Sequence, residues 1–104
     1  MKNTNRPAVV AAVALMLAAA PAASQEARYL AANCANCHGT DGRSAGGGGM
    51  PGLAGLSRAY FVEQMNAFRA GARPATIMHQ ISKGYTDAQI AALADFFAAQ
   101  PAAK

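Results

Sequence analysis

The ten residues NCANCHGTDG, at positions 33 to 42, contain both cysteines of this 104-residue chain. Cys34 and Cys37 are separated by two residues, and His38 follows the second thiol directly. Two thiols and an imidazole this close together can bind a metal ion, exchange disulfides or hold a covalently attached group. The remainder of the sequence has to decide between these kinds of site.

The N-terminus has the layout of a secretory signal peptide. Lys2 and Arg6 give a positive start, residues 8 to 20 form an uninterrupted apolar run, and the small residues PAAS follow. This run is shorter than the ~20 residues that a membrane-spanning helix needs. We therefore expect residues 1–24 to be removed on export, leaving residues 25–104 as one periplasmic domain without a membrane span.

Removal of the leader also removes part of the positive charge. The full chain has nine basic and five acidic side chains, for a net charge of +4. Without Lys2 and Arg6 seven basic side chains remain against five acidic ones, and the net charge falls to +2. The sequence after the leader has no cluster of basic residues with interleaved aromatics, so nucleic-acid binding is not expected.

The predicted domain consists of helices joined by a glycine-rich loop. Residues 39 to 56 hold eight of the ten glycines, which favours a loop over a long regular element. No stretch alternates between apolar and polar residues as a strand would. The periodicity and the capping residues predict four helices, near residues 25–34, 58–70, 74–82 and 87–100.

Each of the three longer helices has a predicted inward face. Ser57 can cap the second helix, and Thr86 with Gln89 forms a capping box for the last one. The inward faces are Ala27, Leu30, Ala31 and Cys34 in the first helix; Phe61, Met65 and Phe68 in the second; and Ile90, Leu93, Ala94 and Phe97 in the last. A domain of about 80 residues has little core of its own, and such domains usually need a further stabilising group.

Two interpretations of the cysteine pair have little support. A redox C-x-x-C normally starts a helix within a strand–helix–strand pattern, and no strands are predicted here. Zinc has four nominal ligands in Cys34, Cys37, His38 and His79. Structural zinc sites usually combine two separated pairs of ligands, however, and here His79 stands alone.

The pattern C-x-x-C-H is the attachment signature of c-type haem. The two thiols add to the two vinyl groups at one edge of the porphyrin, and the adjoining imidazole binds the iron. In a short exported chain this pattern predicts one covalent haem c, held by Cys34 and Cys37 with His38 as an iron ligand. An apolar disc of this kind would also give every helix a surface to pack against.

The second iron ligand has four candidates, and Met78 is favoured. Met78 lies 40 residues beyond His38, far enough for the chain to pass around the disc, and methionine–histidine ligation suits an electron carrier. Met50 lies in the short glycine loop and is expected to remain on the histidine side. Met65 belongs to an apolar stripe, where methionine usually fills the core. His79 follows Met78 directly, and successive helical residues point about 100° apart, so only one of the two can face the iron.

The sequence after the leader resembles a class I cytochrome c of the small bacterial kind and is similar to one half of a cytochrome c4. The motifs that carry this resemblance are CANCHG at 34–39, MPGLAGL at 50–56 and TDAQIAALADFFAAQ at 86–100. Residues 61–89, FVEQMNAFRAGARPATIMHQISKGYTDAQ, resemble the cytochrome subunit of flavocytochrome c sulfide dehydrogenase. Some members of that family carry two haem domains, whereas the single C-x-x-C-H here predicts one haem.

The resemblance implies an all-α class I cytochrome c fold, with helices wrapped around one covalently bound haem. It implies that Met78 binds the iron and that the carbonyl of Pro51 accepts a hydrogen bond from His38, which would orient the ring. It further implies a periplasmic cytochrome subunit that accepts electrons from an FAD-containing flavoprotein and passes them to a soluble acceptor such as another cytochrome. The chain itself would make and break no bonds in the substrate.

Two other functions stay open on the sequence. A free-standing soluble monohaem carrier would use the same haem without a flavoprotein, and would tend to have a charged docking ring. A stable subunit is instead expected to expose an apolar patch near the haem edge. A haem sensor or peroxidase would leave one iron position open, with Met78 not bound.

Overall fold

All the regular structure in the described residues is helical, as predicted. The structure is a computed structural model and describes residues 21–44 and 49–103. Residues 1–20 of the predicted leader and residues 45–48 of the loop lie outside the described residues. The helices are α1 (Pro21–Ala32), α2 (Ala35–His38), α3 (Arg58–Arg69), α4 (Met78–Ile81) and α5 (Asp87–Ala98), with 3₁₀ turns at Thr40–Gly42 and Ser82–Gly84. Within the described ranges, no helix has the length and apolar character needed to cross a bilayer.

Helix α5 begins with the predicted capping box. The hydroxyl of Thr86 accepts a hydrogen bond from the amide of Gln89 at 3.1 Å, and the amide of Thr86 donates to Gln89 Oε1 at 2.9 Å. These reciprocal bonds satisfy two amides that the start of a helix would otherwise leave without a partner. The sequence therefore fixes where α5 begins, and with it the direction of its apolar face.

That apolar face is the centre of the core. The four residues predicted to face inward are at most 1% exposed: Ile90, Leu93, Ala94 and Phe97. Helix α3 packs on them with Phe61 and Met65, and the rings of Phe61 and Phe97 lie 5.5 Å apart between centroids. Helix α1 adds the buried methyl groups of Ala27 and Ala31. Helix α5 thus packs against α1 and α3 together.

Two ion pairs fix α3 and α5 as antiparallel neighbours. Arg58, at the start of α3, donates to Asp95 near the end of α5 at 2.7 Å. Arg69, at the end of α3, donates to Asp87 at the start of α5 at 2.6 Å. Exposed pairs of this kind contribute only about 0–1 kcal/mol each, so burial of the aromatic core provides most of the stabilisation. The ion pairs serve mainly to set register and orientation.

The third predicted helix begins later than the sequence indicated. The expectation was a start at Pro74, but α4 begins at Met78. The amides of Ala72 and Arg73 both donate to the carbonyl of Ala67, which ties the chain back to α3. A residue before proline disfavours the helical conformation, so α3 does not continue through Arg73, and residues 74–77 have no regular secondary structure before α4 begins. As a result Met78 is the first residue of α4 rather than a residue in its interior.

The first predicted helix also differs at both ends. Helix α1 begins four residues before Gln25 and ends at Ala32, so Cys34 lies in the turn that follows it. The amide of Cys34 donates to Ala31 at 3.0 Å, and the carbonyl of Cys34 accepts from the amide of His38 at 2.9 Å. Cys34 therefore closes one helical segment and caps the next.

We expect Thr86→Ala to lower the free energy of unfolding by about 1 kcal/mol, because it removes one acceptor of the capping box. In a domain of this size that corresponds to a fall in melting temperature of roughly 4–8 °C. The change would be measured by thermal denaturation followed by circular dichroism. Thr86→Ser keeps the hydroxyl and is the matched control. An equal loss in both variants would contradict the role given to the cap.

Candidate functional site

Helix α2 presents the two thiols and the imidazole from a single turn. Cys34 caps the helix, and Cys37 and His38 are its last residues, so the thiols stand three residues apart on neighbouring positions of one face. Cys34 is half-buried and Cys37 is exposed, and both thiols are free in this structure. A single rigid turn therefore offers two thiols spaced to bond to one planar group.

His38 has its tautomer fixed by the backbone. Its Nδ1 lies 2.8 Å from the carbonyl oxygen of Pro51, and the residue is buried, with 9% exposure. A carbonyl oxygen can only accept, so Nδ1 must carry the proton and donate it to this bond. The other ring nitrogen, Nε2, is then an unprotonated lone-pair donor in the neutral imidazole. This is the state in which histidine binds a metal ion.

The loop that supplies Pro51 is held against α5. The carbonyl of Gly42 accepts from the amides of Leu53 at 2.8 Å and Ala54 at 3.1 Å, and the amide of Gly55 donates to the carbonyl of Phe97 at 2.8 Å. Gly42 has φ = +76°, and a Cβ there would lie 2.8 Å from the Cβ of Leu53 and 2.9 Å from the ring of Phe97. Only glycine fits at this contact, which brings the loop onto the core.

Met78 lies in the second half of the chain. It is half-buried and packs against the hydrophobic core as the first residue of α4, and Cys34 packs against the same core. A thioether has a soft donor atom and three rotatable bonds, which suit it to bind a metal centre beside the core. Iron coordination by Met78 stays a prediction.

The three other candidate ligands lie in different surroundings. Met65 is 6% exposed within the core cluster, as expected of a packing residue. Met50 is 42% exposed and its carbonyl accepts from the hydroxyl of Ser44 at 2.8 Å. It directly precedes Pro51, whose carbonyl bonds to Nδ1 of His38. His79 has a buried Nδ1 that no group in the described part of the chain hydrogen-bonds.

Tyr85 lies against the attachment segment. Burial raises the pKa of the Cys34 thiol above its ordinary value, although a backbone hydrogen bond acts in the opposite direction. Burial also raises the pKa of Tyr85, and the negative charge of a nearby Cys34 thiolate would raise it further. A hydrogen bond with the side chain of Asn33 lowers the pKa of Tyr85 and opposes these two effects. Tyr85 also packs against the core cluster. The end of the α4 region therefore contacts the turn that carries the first thiol.

The sequence did not predict the contacts of two residues close to Met78 in the chain, Arg73 and Ser82. Arg73 donates from Nη1 to Gln64 Oε1 at 2.6 Å, and its guanidinium carbon lies 4.6 Å from the centroid of the Phe68 ring. Ser82 is fully buried and donates to the carbonyl of His79 at 3.3 Å. The spacing of Arg73 from Gln64 gives no recognisable sequence pattern, because the contact spans the end of α3.

The donor set fits a covalently attached haem. Haem iron takes a neutral imidazole nitrogen, and the hydrogen bond to Pro51 leaves His38 Nε2 in that form. Free thiols are required for thioether formation, and both are free here. In the described ranges no group of three or more His, Cys, Asp or Glu side chains converges to hold a metal ion, which gives the zinc interpretation no support.

Comparisons with known proteins point to the same chemistry. A profile of the cytochrome c family matches residues 24–100. Among solved structures, the chain is similar to the cytochrome c4 of Acidithiobacillus ferrooxidans, whose structure supports a complex-induced tuning of electron transfer. The two share 32% sequence identity with a TM-score of 0.66, and the match covers 74% of this chain and 49% of that chain. This chain thus spans about half the length of that relative. A search of curated protein sequences found no match.

The family match extends over well more than half of the chain and includes the C-x-x-C-H segment, the glycine loop and all of α3, α4 and α5. The helical architecture and the similarity to cytochrome c4 agree with it. The chain therefore belongs to the cytochrome c family and has the class I cytochrome c fold, which supports haem-based electron transfer.

Proposed function

We propose that this chain is a periplasmic monohaem cytochrome that serves as the electron-accepting subunit of a flavocytochrome c sulfide dehydrogenase. The flavoprotein partner would take two electrons from sulfide and deliver them one at a time to the cytochrome. The cytochrome would pass them to a soluble acceptor such as another cytochrome. The chain itself would do no bond-making chemistry.

The observation that best supports haem binding at this site is the 2.8 Å hydrogen bond from His38 Nδ1 to the carbonyl of Pro51. This bond orients the ring and leaves Nε2 free to bind iron, while its acceptor raises the basicity of the ligand. Cys34 and Cys37 would hold the porphyrin edge through thioether bonds. One-electron exchange between ferric and ferrous iron is the chemistry that haem supplies when bound.

Met78 would be the second iron ligand. Its half-buried position at the start of α4 places a thioether beside the core, and the segment RPATIMHQISKGY around it carries the resemblance to the sulfide dehydrogenase subunit. A thioether ligand favours the ferrous state more than a second imidazole does, and so raises the reduction potential. A higher potential suits an acceptor of electrons from flavin.

The substrate and the partner in this proposal rest on the resemblance of residues 61–89 to the sulfide dehydrogenase subunit. The isoleucines on either side of the predicted ligand, Ile77 and Ile81, are exposed, and either the haem or a partner protein would cover them. The periplasmic location rests on the predicted leader.

We expect the purified protein to keep one haem per chain after denaturation, because thioether bonds survive unfolding. A denaturing gel stained for haem, together with the intact mass, would measure this. Cys34→Ala/Cys37→Ala should lose the haem on denaturation, while Met50→Leu, which leaves both thiols in place, should keep it. A wild-type chain whose haem is released on denaturation would rule out covalent attachment.

We expect wild-type ferrous protein to bind carbon monoxide weakly, because Met78 occupies the iron. Met78→Ala/His79→Ala opens that position and removes the neighbouring imidazole as a substitute, and its affinity for carbon monoxide should rise roughly tenfold or more. Binding would be followed by the change in the visible absorbance spectrum. Met50→Ala and His79→Ala are the controls and should behave as the wild type. Ready binding by the wild type would favour a sensor or peroxidase with an open iron position.

We expect the native protein, purified gently from the periplasm, to migrate with a larger flavin-containing chain, since the subunit proposal requires a stable complex. Absorbance across the gel-filtration peak and a denaturing gel would detect the flavin and the second chain. Sulfide added to that fraction should then reduce the haem. A small haem protein that elutes alone without flavin would contradict the sulfide dehydrogenase assignment and favour the free carrier.

A further inference from the structure

The chain between α3 and α4 has no regular secondary structure, and yet it ends at Met78. Residues 70–77 form turns and bends between Arg69 and the first residue of α4. Such a segment needs contacts of its own to hold a ligand in one place, because irregular chain loses more conformational entropy on ordering than it regains from its own backbone. Backbone bonds tie its first residues to α3, and in the described chain Arg73 adds side-chain contacts with the same helix.

Arg73 makes three contacts with α3 or its end. Its Nη1 donates to Gln64 Oε1 at 2.6 Å, and its guanidinium carbon lies 4.6 Å from the centroid of the Phe68 ring. Its backbone amide donates to the carbonyl of Ala67 at 3.2 Å. Gln64 and Phe68 are four residues apart and therefore neighbours on one face of the helix. The arginine lies along this face and covers both of them.

These contacts are of the stronger kinds. A hydrogen bond to a charged guanidinium is stronger than one between neutral groups, and the cation–π contact acts on the same rigid, planar head. Arg73 is half-buried, so the charge is only partly screened by water. Pro74 follows directly and fixes its own φ, which makes the next link toward Met78 stiffer. Arg73 therefore anchors the segment five residues before the predicted ligand, Met78.

We propose that Arg73 is a positioning residue that keeps Met78 on the iron by clasping the α3–α4 segment to Gln64 and Phe68. The proposal rests on Met78 being the iron ligand in the proposed function. Arg73 itself touches neither iron nor substrate. Its effect is to lower the population of states in which the Met78 side chain has moved away.

The test compares Arg73→Gln with Lys83→Gln in the haem-loaded full chain. Lys83 is exposed and lies five residues after Met78, whereas Arg73 lies five residues before it. Both variants remove one positive charge close to Met78 in the chain, so Lys83→Gln controls for the loss of a positive charge in this region. Only Arg73→Gln removes the side-chain contacts of Arg73 with Gln64 and Phe68, which are together called the clasp.

Three measurements report on Met78 rather than on folding in general. They are the methionine–iron charge-transfer band of the ferric protein, the reduction potential, and the affinity of the ferric protein for added imidazole. For Arg73→Gln we expect a weaker band, a lower potential and a roughly tenfold higher imidazole affinity, since one charge-assisted hydrogen bond and one cation–π contact are lost. Lys83→Gln should keep the band and the imidazole affinity of the wild type.

Two further variants resolve the clasp into its parts. Arg73→Lys keeps the charge and the contact with Phe68 but loses the planar fork, so it should restore part of the wild-type behaviour. Gln64→Leu removes the acceptor on α3 and leaves Arg73 in place, and should raise imidazole affinity in the same direction by a smaller factor. If Arg73→Gln yields no haem-loaded protein, Gln64→Leu alone decides the question.

The outcomes separate this proposal from the one on which it depends. A wild-type protein without the methionine–iron band shows that Met78 is not the ligand, and both proposals fail. A wild type that has the band, with Arg73→Gln and Gln64→Leu indistinguishable from Lys83→Gln, overturns the clasp and leaves the ligand assignment intact. Imidazole affinity that rises in Arg73→Gln and falls back in Arg73→Lys supports the clasp.

Discussion

The hydrogen bond from His38 Nδ1 to the carbonyl of Pro51 is the contact on which the arrangement of the site depends. It fixes the proton on one ring nitrogen and leaves the other as a donor for a metal ion. It also joins the segment that carries the thiols to the far end of the glycine-rich loop. Because Gly55 is bonded in turn to Phe97 of α5, the imidazole is connected through the loop to a fully buried residue of the core.

The second half of the chain holds one thioether, that of Met78, at the end of a segment without regular secondary structure. Antiparallel packing of α3 and α5, with ion pairs at both ends, provides a rigid support. The chain that leaves α3 is tied back to that support through Arg73 before it reaches Met78. The two predicted iron ligands are therefore held by separate sets of contacts, which the core around α5 and the contact of Tyr85 with the Cys34 turn bring together.

Features that depend on neighbouring residues could be predicted from the sequence, and features that depend on tertiary contacts could not. The capping box and the inward face of α5 follow from local spacing, and the structure confirms them. Pro74 suits the first turn of a helix, so the sequence predicts that α4 starts there, whereas the structure starts it at Met78. The amides of Ala72 and Arg73 bond to the carbonyl of Ala67 as part of the cap that ends α3 after Gly71, and the chain then forms bends up to Ile77. In the same way, the covalent site follows from C-x-x-C-H, whereas the contact between Arg73 and Gln64 required the folded chain.

The glycine-rich loop is closed twice at its base, by His38 with Pro51 and by Gly42 with Leu53. The entropy of closing a loop grows only slowly with its length, by about 0.6 kcal/mol for each doubling. Both closures lie outside the stretch between Ser44 and Met50, so the length of that stretch has little influence on the position of Pro51. The run of glycines is thus a place where the chain can gain or lose residues during evolution, or accept an engineered insertion, while the geometry at the imidazole stays the same.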